Sequence, residues 1–188
     1  MPNLYIIGGA NGSGKTTASM SLLPNFLDCF EYVNADAIAA ALSPFNPESV
    51  AIWAGRIMLE RLQTLSNSGT DFAFETTLAA RSFAAFLRSC KTKGYTINLI
   101  YFWLRSPELA IARVARRVAS GGHSIPENVI RRRYDRGRLN LLALYLPLCD
   151  NWIIYDNSNE TAQLVAEGII EEEQIIYNIE IWNQINQR

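Results

Sequence analysis

Apolar and polar positions change rhythm repeatedly along this chain. Short runs rich in β-branched and aromatic residues, "LYIIGG", "EYVNAD", "DFAFETT", "YTINLIYFWL" and "NWIIYDNS", read as strands. Between them, "TTASMSLL", "PESVAIWAGRIMLERLQTLSNSG", "ARSFAAFLRSCKTKG", "SPELAIARVARRVASGG" and "PENVIRRRYDRGRLNLLALY" place apolar residues at helical spacing. Strand followed repeatedly by helix predicts an α/β fold with a central, mostly parallel sheet flanked by helices on both faces. Such sheets bind ligands at the carboxyl ends of their strands. The eight residues 97–104, apolar except for Asn98, predict a strand buried on both faces. In the tail, "EEEQIIYNIEIWNQIN" predicts a last helix that starts at Glu171, Glu172 and Glu173, acids suited to the positive end of a helix.

Composition narrows this picture little. The 188 residues predict one domain, with a lid at about 106–146 and a C-terminal extension at about 161–188. A net charge of −1 argues against a protein that tracks nucleic acid by its phosphates. No signal segment and no membrane-length apolar run occurs, so the expectation is a cytoplasmic protein with no membrane partner. Cys29, Cys90 and Cys149 lie far apart and read as reduced thiols, and Trp53, Trp103, Trp152 and Trp182 as packing residues.

One stretch does not fit a packing role. "GGANGSGKTT" follows the first strand and precedes a helical segment, and its Gly9-x-x-x-x-Gly14-Lys15-Thr16 spacing is that of a phosphate-binding loop. Glycines there let successive backbone N–H groups turn toward a phosphate at the positive end of the next helix. Gly9, Ala10, Asn11, Gly12, Ser13, Gly14, Lys15, Thr16 and Thr17 are the nucleotide-binding candidates. Lys15 would reach the β- and γ-phosphates of ATP, and the Thr16 hydroxyl would hold Mg²⁺.

The acids separate the classes of enzyme that use such a loop. The strand over residues 97–104 runs into Leu104 and Arg105, with no acid to orient water as in a motor ATPase, and no Asn-Lys-x-Asp element for guanine occurs. Asp36 and Glu75 instead close two other strands. Two carboxylates beside a Mg–nucleotide, one taking a proton from an acceptor hydroxyl, suit phosphoryl transfer to an alcohol. Asp36 is the base candidate, with a plain helix cap as the alternative. Glu75 with Thr76 and Thr77 is the substrate or metal candidate, and the roles of Asp36 and Glu75 are open to exchange. Arg81 joins the substrate-binding candidates.

Past Ser106 and Pro107, a helix cap and first residue, Arg113, Arg116 and Arg117 share the face opposite Ile111, Val114, Ala115 and Val118. Then come two glycines, the sole histidine His123, and Arg131, Arg132 and Arg133. An Arg-rich helical lid that excludes water is the reading. Arg113 and Arg117 are catalytic candidates with Lys15 and Asp36, and His123 is a candidate lid contact to phosphate or substrate.

With "VNAD", "FAFETTLA", "RVARRVASGGHSIP" and "IRRRYDR", the phosphate loop resembles that of the zeta-toxin family of P-loop kinases, across about residues 2–158. The resemblance implies a kinase that uses ATP to phosphorylate the amino-sugar 3′-hydroxyl of UDP-N-acetylglucosamine, with a small antitoxin protein as partner. It implies Asp36 as catalytic aspartate, Glu75 and its threonines as the substrate and metal site, and Arg113 or Arg117 as the charge-stabilising lid arginine. His123 stands where the better-known toxins carry a second lid arginine. A kinase acting on nucleic-acid ends or another metabolite, and an ATP-gated binding module without catalysis, are the competing readings.

Overall fold

In the computed structural model, which describes residues 1–187, five strands run parallel and end at one edge. In chain order the elements are β1 (Asn3–Gly9), α1 (Lys15–Phe26), β2 (Tyr32–Val33), α2 (Ala35–Leu42), α3 (Ala51–Ser68), β3 (Phe72–Thr76), α4 (Phe83–Thr92), β4 (Thr96–Trp103), α5 (Pro107–Ala119), α6 (Glu127–Asn140), β5 (Asn151–Asp156), β6 (Gln163–Ile169), β7 (Ile175–Ile176) and α7 (Ile179–Asn186). The strand order is β2-β3-β1-β4-β5-β6-β7, with β6 and β7 antiparallel. β1 lies at the centre, with Gly8 opposite Thr76 of β3 and Tyr101 of β4. Its carboxyl end therefore delivers the glycine-rich loop between the ends of its neighbours. This is the expected α/β architecture.

Both faces of the central strands are buried, which is why they read as continuous apolar runs. Leu4, Ile6, Phe72, Phe74, Leu99 and Tyr101 belong to the larger core, and Ile7, Ala73, Ile100 and Phe102 to a smaller one that includes Leu23 of α1. Cys29, Cys90 and Cys149 are buried free thiols. Trp152 and Trp182 stack with ring centroids 5.8 Å apart, while Trp53, expected in the core or at an interface, is 56% exposed and so is not a core residue.

The tail departs from expectation. Glu171, Glu172 and Glu173 lie in the turn between β6 and β7, with Glu171 at φ 66°, and the last helix starts only at Ile179 behind an Asn178 cap. The extension closes the sheet edge with a hairpin because β6 finds β5 as a partner, with Gly168 opposite Trp152. Residue 188 of the extension lies outside the described residues. Among the described residues no helix is long and apolar enough to cross a membrane.

Candidate active site

The loop begins where β1 ends. Gly9 has φ 145°, and a Cβ there would stand 2.5 Å from the Phe102 carbonyl oxygen, so only glycine lets the chain leave β1 this close to β4. Gly14, at φ 86°, caps α1 without a side chain, and a Cβ would meet Asn157 Nδ2 at 2.6 Å. Within the loop, Ala10 O accepts bonds from Ser13 N (3.1 Å) and Lys15 Nζ (2.8 Å). Asn11 Oδ1 and Ser13 Oγ are buried without a partner. Beside the loop is a cavity of about 280 Å³ lined by Asn11, Gly12, Gly14, Lys15, Thr16, Thr17, Asp36, Glu75, Arg113 and Arg117.

Lys15 is buried, and desolvation lowers its pKa, with Glu75 and then Asp36 acting in the opposite direction. An ammonium held under such a penalty attracts an anion strongly. Glu75, at the end of β3, is the hub of the site. Its Oε2 accepts bonds from Thr16 Oγ1 (2.8 Å), Tyr32 OH (2.5 Å) and Asn34 Nδ2 (3.0 Å), and its Oε1 lies 3.6 Å from Lys15 Nζ. Tyr32 pays for this contact in acidity, because burial first and the Glu75 charge second push its pKa up. The Thr16 hydroxyl and the Glu75 carboxylate are hard oxygens in contact at the mouth of the loop, the donor type Mg²⁺ takes alongside phosphate oxygens.

Asp36 lies in the first turn of α2. The cap of that helix is Asn34, whose Oδ1 accepts from Asp36 N (2.8 Å) and Ala37 N (3.3 Å). Asp36 is thereby relieved of capping, and its Oδ2 stands 3.9 Å from His123 Nε2.

The two lid arginines do different work. Arg113 Nη1 donates to Asn157 O (2.7 Å), and its Nη2 donates to Ser158 O (3.0 Å). Asn157 in turn donates from Nδ2 to Ser13 O (2.8 Å), so Arg113 is tied to the phosphate loop through the turn after β5. Arg117 has one bond, from Nη2 to His123 O (3.2 Å), and its Nε is buried without a partner. Arg116 is exposed and does not line the cavity, since it stands about 100° around the helix from Arg117.

A second cavity of about 520 Å³ opens beyond the first and shares Asn11, Lys15, Asp36 and Glu75 with it. Its walls come from α3 (Ile52, Arg56, Leu59), the segment after β3 (Thr76, Thr77, Ala80, Ser82) and α6 (Arg132, Arg133, Arg136). The Thr76 hydroxyl also accepts from Leu78 N at 3.0 Å, closing the turn. Arg81 does not belong to this wall. Its neighbours Ala80 and Ser82 line the cavity while Arg81 itself is exposed, because the turn into α4 points it outward. Arg131 is likewise occupied elsewhere, paired with Glu108 of α5.

Sequence reasoning missed Tyr32, Asn34, Arg56 and Arg136. Asn34 carried a usable signal, an Asn directly ahead of a helical run. Arg56 carried none, because only the packing of α3 shows which of its polar residues faces the sheet edge.

Comparison with known proteins gives the family and the fold. The family model described as Zeta toxin matches residues 1–166. An uncharacterized protein of Haemophilus influenzae (strain ATCC 51907 / DSM 11121 / KW20 / Rd) is 34% identical over 128 residues, 67% of this chain and 88% of that protein. The AvrRxo1-ORF1:-ORF2 structure with ATP superposes with a TM-score of 0.81 at 18% identity, and the match covers 100% of this chain. This chain spans only 64% of the length of that AvrRxo1 chain. The PezAT chromosomal toxin–antitoxin system of Streptococcus pneumoniae superposes with a TM-score of 0.66 at 18% identity, over 95% of this chain and 75% of the other. At these identities the two structural likenesses are likenesses of fold.

Proposed function

The chain belongs to the zeta toxin family, and on that premise we propose that it is a kinase that transfers the γ-phosphoryl group of ATP to a sugar hydroxyl of UDP-N-acetylglucosamine or a related UDP-sugar. The observation that carries this reading is that two cavities meet at Asp36 and Glu75, one walled by the phosphate loop and one by arginines. A donor bound at the loop and an acceptor in the larger cavity would face each other across these carboxylates.

In this reading Lys15 binds the β- and γ-phosphates and exchanges its buried, undercompensated position for an anionic partner. Thr16 and Glu75 would hold Mg²⁺, which supplies charge neutralisation on the transferring group. Asp36 takes the proton of the acceptor hydroxyl as the new O–P bond forms and the bond to the β-phosphate oxygen breaks, releasing ADP. Arg117, whose Nε has no partner, stabilises the charge that develops on the transferred group, whereas Arg113 holds the lid to the loop. Arg56, Arg132, Arg133 and Arg136 favour an acceptor that itself carries negative charge, as a nucleotide sugar does. His123, beside Asp36, is a contact from the lid. A cytoplasmic location and a small antitoxin partner belong to the same proposal.

The test is mass spectrometry of a nucleotide-sugar mixture incubated with ATP, Mg²⁺ and protein. A UDP-sugar heavier by one phosphate, absent with Lys15→Ala and with Asp36→Ala, is the expected result. Label on RNA or DNA ends with every UDP-sugar unchanged would move the acceptor to nucleic acid. Transfer that survives Asp36→Ala would remove Asp36 as base.

A further inference from the structure

The side chain of Asn34 is buried and fully engaged at both ends of its amide. Oδ1 accepts from the backbone N–H groups of Asp36 and Ala37, at 2.8 and 3.3 Å. Nδ2 donates to Glu75 Oε2 at 3.0 Å and to Tyr32 OH at 3.2 Å. The two ends are not interchangeable, because backbone N–H groups require an acceptor and a carboxylate requires a donor. One planar group therefore joins the first turn of the helix that carries Asp36 to the carboxylate of Glu75.

Resting on the kinase reading above, we propose that Asn34 is a positioning residue, a rigid strut that sets the distance and angle between the Asp36 and Glu75 carboxylates. β2 is only two residues long, so its backbone pairing alone restrains the start of α2 weakly. The strut supplies what the short strand lacks. It also favours asparagine at residue 34, since aspartate keeps an oxygen for the helix cap but has no hydrogen to offer Glu75, and serine has a single, shorter hydroxyl where asparagine has separate groups for the cap and the carboxylate.

Asn34→Ser and Asn34→Asp test this, because both retain the cap and so separate positioning from helix stability. If the strut acts as proposed, kcat falls roughly ten- to hundredfold in both, as expected when reacting groups shift by about 1 Å. The KM values for ATP and acceptor change less than kcat does, because the phosphate loop and the cavity arginines that would bind the substrates are retained. A wild-type kcat in Asn34→Ser would reduce Asn34 to a helix cap and overturn the proposal. A second measurement needs no turnover. In denaturant titrations of Asn34→Ser, Glu75→Ala and the double variant, the folding constants should depart from multiplicativity by about twofold or more. Multiplicative constants would overturn the strut whatever the activity. Should the parent protein phosphorylate no acceptor at all, the kinase reading fails while this cycle still decides whether Asn34 holds Glu75.

Discussion

Arg113 and Arg117 stand one helical turn apart and are chemically identical, yet their surroundings assign them different work. Arg113 gives its guanidinium to carbonyls of the turn after β5, while Arg117 keeps a buried N–H without a partner beside the phosphate loop. Arg117→Ala should therefore lower kcat by about 10²-fold or more, the usual cost of deleting a group that stabilises transition-state charge, and lower the melting temperature less than Arg113→Ala does, since Arg117 makes one bond, to His123 O. Arg113→Ala should do the reverse. A charge-assisted bond contributes about 1.5–3 kcal/mol, so losing even one of those Arg113 makes should lower melting by roughly 3–12 °C, with the larger kinetic effect on the KM for ATP. Steady-state kinetics and thermal melts on the two variants check the split, and equal losses of kcat at constant melting temperature would sink it. Helical periodicity placed both arginines on one face. The distinction between them depends on Asn157 and Ser158, more than 40 residues further along the chain, and no local pattern carries that information.

Helix α6 forms one wall of the larger cavity through Arg132, Arg133 and Arg136, and its approach to the sheet is set at Gly137. A Cβ at Gly137 would stand 2.2 Å from the Thr77 carbonyl oxygen. Gly137→Ala should push α6 off the β3–α4 turn. Overpacking of this kind costs about 1–3 kcal/mol, equivalent to a melting temperature lower by about 2–12 °C, and it should raise the KM for the acceptor more than that for ATP. Unchanged melting and KM would mean that the helix shifts without consequence. The helices and central strands were legible because their apolar periods are long and uninterrupted. The C-terminal hairpin was not, since its apolar residues fit a helical period as well as a strand, and Glu171 adopts positive φ without the glycine or asparagine that marks such turns. Its strand character comes from pairing with β5, a partner that no window within the tail contains.

For the molecule as a whole, burial on both faces of the sheet leaves a signature in alkaline stability. Burial pushes the thiols up from 9.0, to about 11 for Cys29 and Cys90 and about 12 for Cys149, and Tyr145 from 10.0 to about 12. In each case the native state favours the protonated form, so this stabilisation is complete below the unfolded-state values near 9 and 10. It is lost as pH rises through the native values of about 11 and 12. Melting temperatures followed from pH 8 upward should decline above about pH 9, and native thiols should resist alkylation at pH 8 until denaturant is added. A melting temperature flat to pH 11 would contradict the buried assignment. By itself the amino-acid order determined the α/β class, the phosphate loop and its lysine, and Glu75 as an acid at a strand end, because each is a local signature of spacing or apolar period. Asp36, expected to close a strand, lies instead in the first turn of α2 because β2 stops at Val33. Tertiary structure alone decided that Arg113 is bound to the turn after β5, that Asn34 reaches Glu75, that Arg81 faces away, and that a second, arginine-walled cavity meets the first at Glu75. Those outcomes depend on contacts between residues far apart in the chain, and such contacts exist only once parallel strands bring their carboxyl ends to one edge.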